Sequence, residues 1–80
     1  MQLFLYNSES NKAVNLANIE DIFISDNYLI LTTNGGLNAR EIRFVYGTPA
    51  KLSKLFKAIM EFIKDYQQGA FDCYDFIKNL

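Results

Sequence analysis

The sequence predicts an α+β fold: an antiparallel meander sheet of four to five strands, one long amphipathic helix packed on one face, and a short C-terminal helix. Three observations carry this reading. Residues 2–46 hold several β-rich runs separated by turns that contain Asn, Asp and Gly. Residues 49–67 switch to a helical period, with Thr48-Pro49 directly ahead of them. No Pro- or Ser-rich stretch interrupts the 80 residues, so the chain reads as a single domain over 1–80. Its strands fall within 1–46, the long helix over about 49–67 and the short helix over about 71–79.

Each element has its own warrant. Gln2 to Tyr6 alternates Leu3 and Leu5 with Phe4 and Tyr6, and Asn7-Ser8-Glu9-Ser10-Asn11 then supplies turn chemistry. A short strand around Ala13 to Leu16 follows, or else Asn15 or Asn18 opens one helical turn. The clearest stretch runs from Ile22 to Leu31, two β-rich runs around Asp26-Asn27, a pair that tolerates positive φ. A two-residue loop there sets Ser25 opposite Tyr28, Ile24 opposite Leu29, Phe23 opposite Ile30 and Ile22 opposite Leu31. Cross-strand partners share a face, so Ile22, Ile24, Leu29 and Leu31 line one side while Phe23, Tyr28 and Ile30 line the other.

A second turn at Asn34-Gly35-Gly36 leads to a strand from Leu37 to Tyr46. A two-residue loop puts Leu29 and Leu31 on the same face as Ile42, Phe44 and Tyr46, whereas an odd-numbered loop reverses every side chain. Thr48 is placed to cap the long helix, and Pro49 occupies its first position, where the missing N–H costs nothing. At about 100° per residue, Leu52, Leu55, Phe56, Ile59, Phe62, Ile63 and Tyr66 share one arc, with Met60 at its edge and Lys54, Lys57, Glu61, Lys64 and Asp65 opposite. Gly69 is expected to close that helix. Asp72 can cap the short one, which spaces Phe71, Tyr74 and Ile77 helically. This order of elements is similar to that of pleckstrin-homology-type and other small meander-plus-helix domains; no motif residue accompanies the likeness, so no site is carried over.

Composition excludes more chemistry than it supports. With no His and one Cys, the common His/Cys metal spacings, His-activated nucleophiles and an internal disulfide are all out of reach. No cofactor is expected, and no enzyme. A lone Cys73 without a signal-peptide pattern suits the cytoplasm, and the longest apolar run, four residues, is far short of a membrane span. Cys73 lies next to Asp72 and near Asp75, which oppose thiolate formation, so it reads as an inert packed thiol. Glu20-Asp21 and Asp72-Asp75 have plain structural roles beside a strand and in a helix's first turn. Asn34-Gly35-Gly36 lacks the Lys-Ser or Lys-Thr and the following helix of a phosphate loop.

Two surfaces remain. The net charge of −1 hides a basic middle: 40–64 carries +4, between −3 over 1–39 and −2 over 65–80. Arg40, Arg43, Lys54, Lys57 and Lys64 are therefore candidates for binding a single-stranded nucleic acid. Against it, Arg43 has the opposite parity to Phe44 and Tyr46. The apolar side made by Phe23, Tyr28 and Ile30, extended by Phe4 and Tyr6, exceeds what one helix can cover, so it is closed by the C-terminal tail or by curling of the sheet, or else it meets another chain. The expected function is that of a small non-catalytic cytoplasmic interaction or regulatory protein. It would act through this face on a protein partner or a second copy, as a homodimer. A small-molecule-binding protein or an enzyme of small metabolites ranks third.

Overall fold

The computed structural model describes residues 2–80; Met1 lies outside the described residues. The order is β1 (Gln2–Asn7), β2 (Lys12–Asn15), β3 (Ile19–Ser25), β4 (Tyr28–Thr33), β5 (Glu41–Tyr46), α1 (Pro49–Asp65), β6 (Gln68–Asp72) and α2 (Cys73–Lys78). Single 3-10 turns, Leu16–Asn18 and Gly36–Asn38, follow β2 and β4. The fold is α+β, but the expected single meander is two sheets of three strands. One is antiparallel, in the order β3-β4-β5; the other is mixed, in the order β2-β1-β6.

The antiparallel sheet follows local rules. Asp26 and Asn27 take φ of 52° and 65°, the left-handed pair of a tight hairpin turn, and β3 meets β4 in the expected register, Ile22 to Leu31 through Ser25 to Tyr28. The next connection is longer than the two residues expected. Thr33 N–H donates to the Arg40 carbonyl at 3.0 Å, so the loop spans 34–39. Gly35 is required in it, because a Cβ there would stand 2.9 Å from the Ala39 nitrogen. The loop length is still even, so Leu31 faces Ile42 on the core side as parity demands. A bulge in β5, where the register shifts between Leu29 and Ile30, then turns both Phe44 and Val45 inward. Tyr46, expected beside Phe44, is thereby rotated onto the outer face opposite Tyr28.

The mixed sheet corrects the C-terminal expectation. Residues 68–72 are a strand, not part of a helix, and pair in parallel with β1 from Gln2 with Gln68 to Tyr6 with Asp72. Gly69, with φ 143°, sits in that strand and does not cap α1. The long helix therefore stops at Asp65, two residues early, and Tyr66 is its extended C-cap, 58% exposed. Backbone pairing with β1 outweighs the local helical spacing of Phe71 and Tyr74. Asp72 does cap α2, its Oδ1 accepting from the backbone N–H of Tyr74 and Asp75 at 3.1 and 3.3 Å.

One core joins the layers. Leu3 and Leu5 from β1, Leu29 and Leu31 from β4, Phe44 and Val45 from β5, Leu52, Leu55, Ile59 and Phe62 from α1, and Cys73 and Ile77 from α2 are all buried together. So the helix serves both sheets and does not simply lie on one face of a single sheet. Each large side chain enclosed contributes about 1.5–3 kcal/mol. The only buried polar side chain among the described residues, Asn7, ties the sheets to each other. Its Nδ2 donates to the Phe44 carbonyl at 2.9 Å, at the bulge that interrupts the β5 ladder, while its Oδ1 accepts from Glu9 N at 3.0 Å and Ser10 N at 3.3 Å.

Candidate protein-contact surface

Strand alternation places Asp21, Phe23, Ser25, Tyr28, Ile30, Thr32, Glu41, Arg43 and Tyr46 on the outer face of the antiparallel sheet. At its centre Ile30 is only 6% exposed; its register neighbours Phe23 and Arg43 flank it across β3 and β5. Ile30 is thus the floor of the surface and not a protruding group. Phe23 and Tyr28 are half-buried. Tyr46 stands 63% exposed and meets the edge of the Tyr28 ring, with centroids 5.3 Å apart and planes at 70°. The Arg43 guanidinium carbon lies 5.5 Å from the Tyr28 centroid, on the ring's face.

Of the five residues expected to form this surface, the structure brings together Phe23, Tyr28 and Ile30. Phe4 and Tyr6 belong to the mixed sheet, half-buried around a shallow hollow of about 440 Å³ beside Ala13 and Ala70. The sequence reading missed Tyr46. Strict alternation assigned it inward, and Val45 and Tyr46 suit either face of a strand equally well, so nothing in the residue types marks the bulge.

The basic candidates do not gather. Arg40 follows the 34–39 loop, Lys54, Lys57 and Lys64 are exposed along α1, and Arg43 meets the ring of Tyr28. On that outer face Arg43 is accompanied by Asp21 and Glu41. Arg43 has the expected opposite parity to Phe44 but not to Tyr46, because the bulge puts Tyr46 on its side.

The remaining reactive groups have structural surroundings. Burial pushes the Cys73 thiol up to about 12, and the neighbouring Asp72 charge adds to the rise. Burial also raises Asp72, but hydrogen bonds from Ser8, Asp75 and Tyr74 outweigh it and hold its pKa below the ordinary value. A second concavity of about 470 Å³ opens between β1, the 3-10 turn after β2, β3 and the end of α1. Its walls include Leu3, Leu16, Ile19, Ile22 and Ile63, with Glu20 as the one charged group. Among the described residues no three His, Cys, Asp or Glu side chains converge as metal ligands, and no helix is long and apolar enough to cross a membrane. In comparison with known proteins, no family model, no curated protein and no solved structure matches this chain.

Proposed function

We propose that this protein is a small, non-catalytic interaction or regulatory module that binds another protein through the outer face of its antiparallel sheet. The observation that carries this reading is the group around Tyr28, whose ring takes the edge contact of Tyr46 and the guanidinium of Arg43 beside the Phe23–Ile30 pair, with Arg43 and Tyr46 themselves exposed. Tyr and Arg are enriched among the residues that dominate interface energetics: Tyr offers a large apolar area with a polar rim at small entropic cost, and Arg adds a planar charged group that stacks and donates hydrogen bonds. Holding the three against each other before binding lowers that cost further. A free, buried Cys73 fits a reducing compartment, and we place the protein in the cytoplasm.

The test is affinity capture with three baits: the natural chain, Tyr28→Glu and Lys54→Glu, the last altering a base on the far helix. A direct partner should be retained by the natural and Lys54→Glu baits and lost from Tyr28→Glu at unchanged circular dichroism. Identical capture by all three overturns the proposal. Arg43 over the Tyr28 ring, with Tyr46 beside that ring, also favours a second reading, stacking of single-stranded nucleic acid bases. Asp21 and Glu41 flank that group and leave the face without the positive excess a phosphate backbone needs, so the protein partner ranks first. A salt titration with an oligonucleotide separates the two: steep weakening with added salt supports the nucleic acid, and no binding at low salt removes it.

A further inference from the structure

The four sheet edges are not alike. β2 is four residues long and carries Lys12. β3 carries Glu20 and Asp21 with a register shift beside them. β5 carries Glu41 and Arg43 with its bulge. Short length, charge and bulges are how edges avoid joining another chain. β6 is the least protected: it reads Gln-Gly-Ala-Phe-Asp over five residues, keeps an unbroken register with β1, has its one charge, Asp72, at its end, and leaves Gln68, Gly69 and Ala70 exposed.

The phase of its hydrogen bonds shows what the open side offers. Gln2 N–H donates to the Gln67 carbonyl at 3.1 Å. With the parallel register Gln2 to Gln68, the backbone groups of residues 67, 69 and 71 turn toward β1, and those of Gln68 and Ala70 turn away from it. Among the described residues, none of the turn, loop or cap hydrogen bonds uses these outward groups.

We propose that this edge pairs with a second copy of the chain, β6 antiparallel to β6 about a two-fold axis at Ala70. The strand is complementary to itself in that register. Ala70 faces Ala70 of the other copy, and Gln68 faces the other copy's Asp72. Outward-turned residues thus meet outward-turned residues, and no like charges are opposed. An axis at Gly69 instead would set groups already spent on β1 at its centre. The joined sheet runs β2-β1-β6-β6-β1-β2. It draws in the hollow of Phe4 and Tyr6, because Phe4 is the register partner of Ala70. This edge is independent of the aromatic face and leaves that face free for a different protein.

Sedimentation equilibrium at submillimolar concentration tests it. The natural chain and Tyr28→Glu should both approach dimer mass, which keeps a failure here distinct from a failure of the aromatic-face reading. Ala70→Pro removes an N–H that has no partner within the chain, so it should give a monomer with unchanged circular dichroism. Should that variant fail to fold, a charge pair decides: Gln68→Lys, opposite Asp72, should tighten the dimer and Gln68→Glu should loosen it. Each shift is about threefold or more, since every contact occurs twice. A natural chain of monomer mass overturns the proposal, as do a folded Ala70→Pro dimer and Gln68 variants that move together or not at all.

Discussion

The two sheets share a core yet are assembled on opposite principles. Every pairing in the antiparallel sheet joins neighbours in the chain, β3 to β4 and β4 to β5, and its turns set the register before any distant contact exists. In the mixed sheet the central strand β1 takes β2 by a short turn but takes β6 from far along the sequence. The outer face of the first sheet packs its aromatic rings on one another, Tyr28 against Tyr46; that of the second sets Phe4 and Tyr6 beside the small Ala70 and Ala13, around a hollow. What the difference teaches is that a strand can be specified by its own pattern or by its partner, and this chain uses both.

Five substitutions sharpen the contrast, taken from the largest expected effect to the smallest, with Ile24→Ala as the reference for the first. Leu5→Ala, emptying a fully buried position of the mixed sheet, should cost about 3 kcal/mol in urea unfolding, against under about 1 for Ile24→Ala at the rim of the antiparallel sheet. Equal costs would mean that the two sheets do not bury a common interior. Asn7→Ala should cost about 2 kcal/mol, because it strands the Phe44 carbonyl and releases the 8–11 turn at once. A loss near zero would show the sheets to be held together without it.

Asp72→Ala removes the α2 cap and should cost about 1 kcal/mol at neutral pH. Its pH dependence has a definite sign. The folded carboxyl titrates below its ordinary 3.8, so its ionisation favours the fold above that value, and the benefit disappears as pH falls through the folded pKa. Acid unfolding of Asp72→Ala should therefore be shallower in that window than that of the natural chain, and a steeper curve contradicts the assignment. Smallest is Tyr46→Ala, which forfeits an exposed edge-packed pair worth under about 1 kcal/mol. If its thermal midpoint drops as far as that of Leu5→Ala, the aromatic face supports the fold and not a partner.

The same division explains what could be read in advance. Asp26-Asn27 and the runs beside it carry a complete local instruction, so the β3–β4 register was legible residue by residue. So was the start of α1, where Thr48 and Pro49 act through adjacent backbone groups. Parity survived even where the loop length did not, since it depends only on whether the 34–39 loop holds an even number. β6 was not legible: Gly69 and the spacing of Phe71, Tyr74 and Ile77 suit a cap and a helix, and only β1 makes an extended conformation preferable. The bulge at Phe44 was hidden for a related reason. Its support is the Asn7 amide, which belongs to a different sheet. Of the candidate surface, Phe23, Tyr28 and Ile30 followed from the hairpin alone, while Tyr46 joined them only through that bulge.

The parallel clasp between Gln2–Tyr6 and Gln68–Asp72 has a consequence during synthesis. The ribosome makes the middle strand of the mixed sheet first and its second neighbour some of the last of these residues, so this sheet cannot be completed in step with translation. Hairpins β3, β4 and β5 can zip as they emerge, but β1, with its apolar Leu3 and Leu5, must wait beside β2 alone. Until residues 68–72 arrive, one side of that strand has no backbone to pair with.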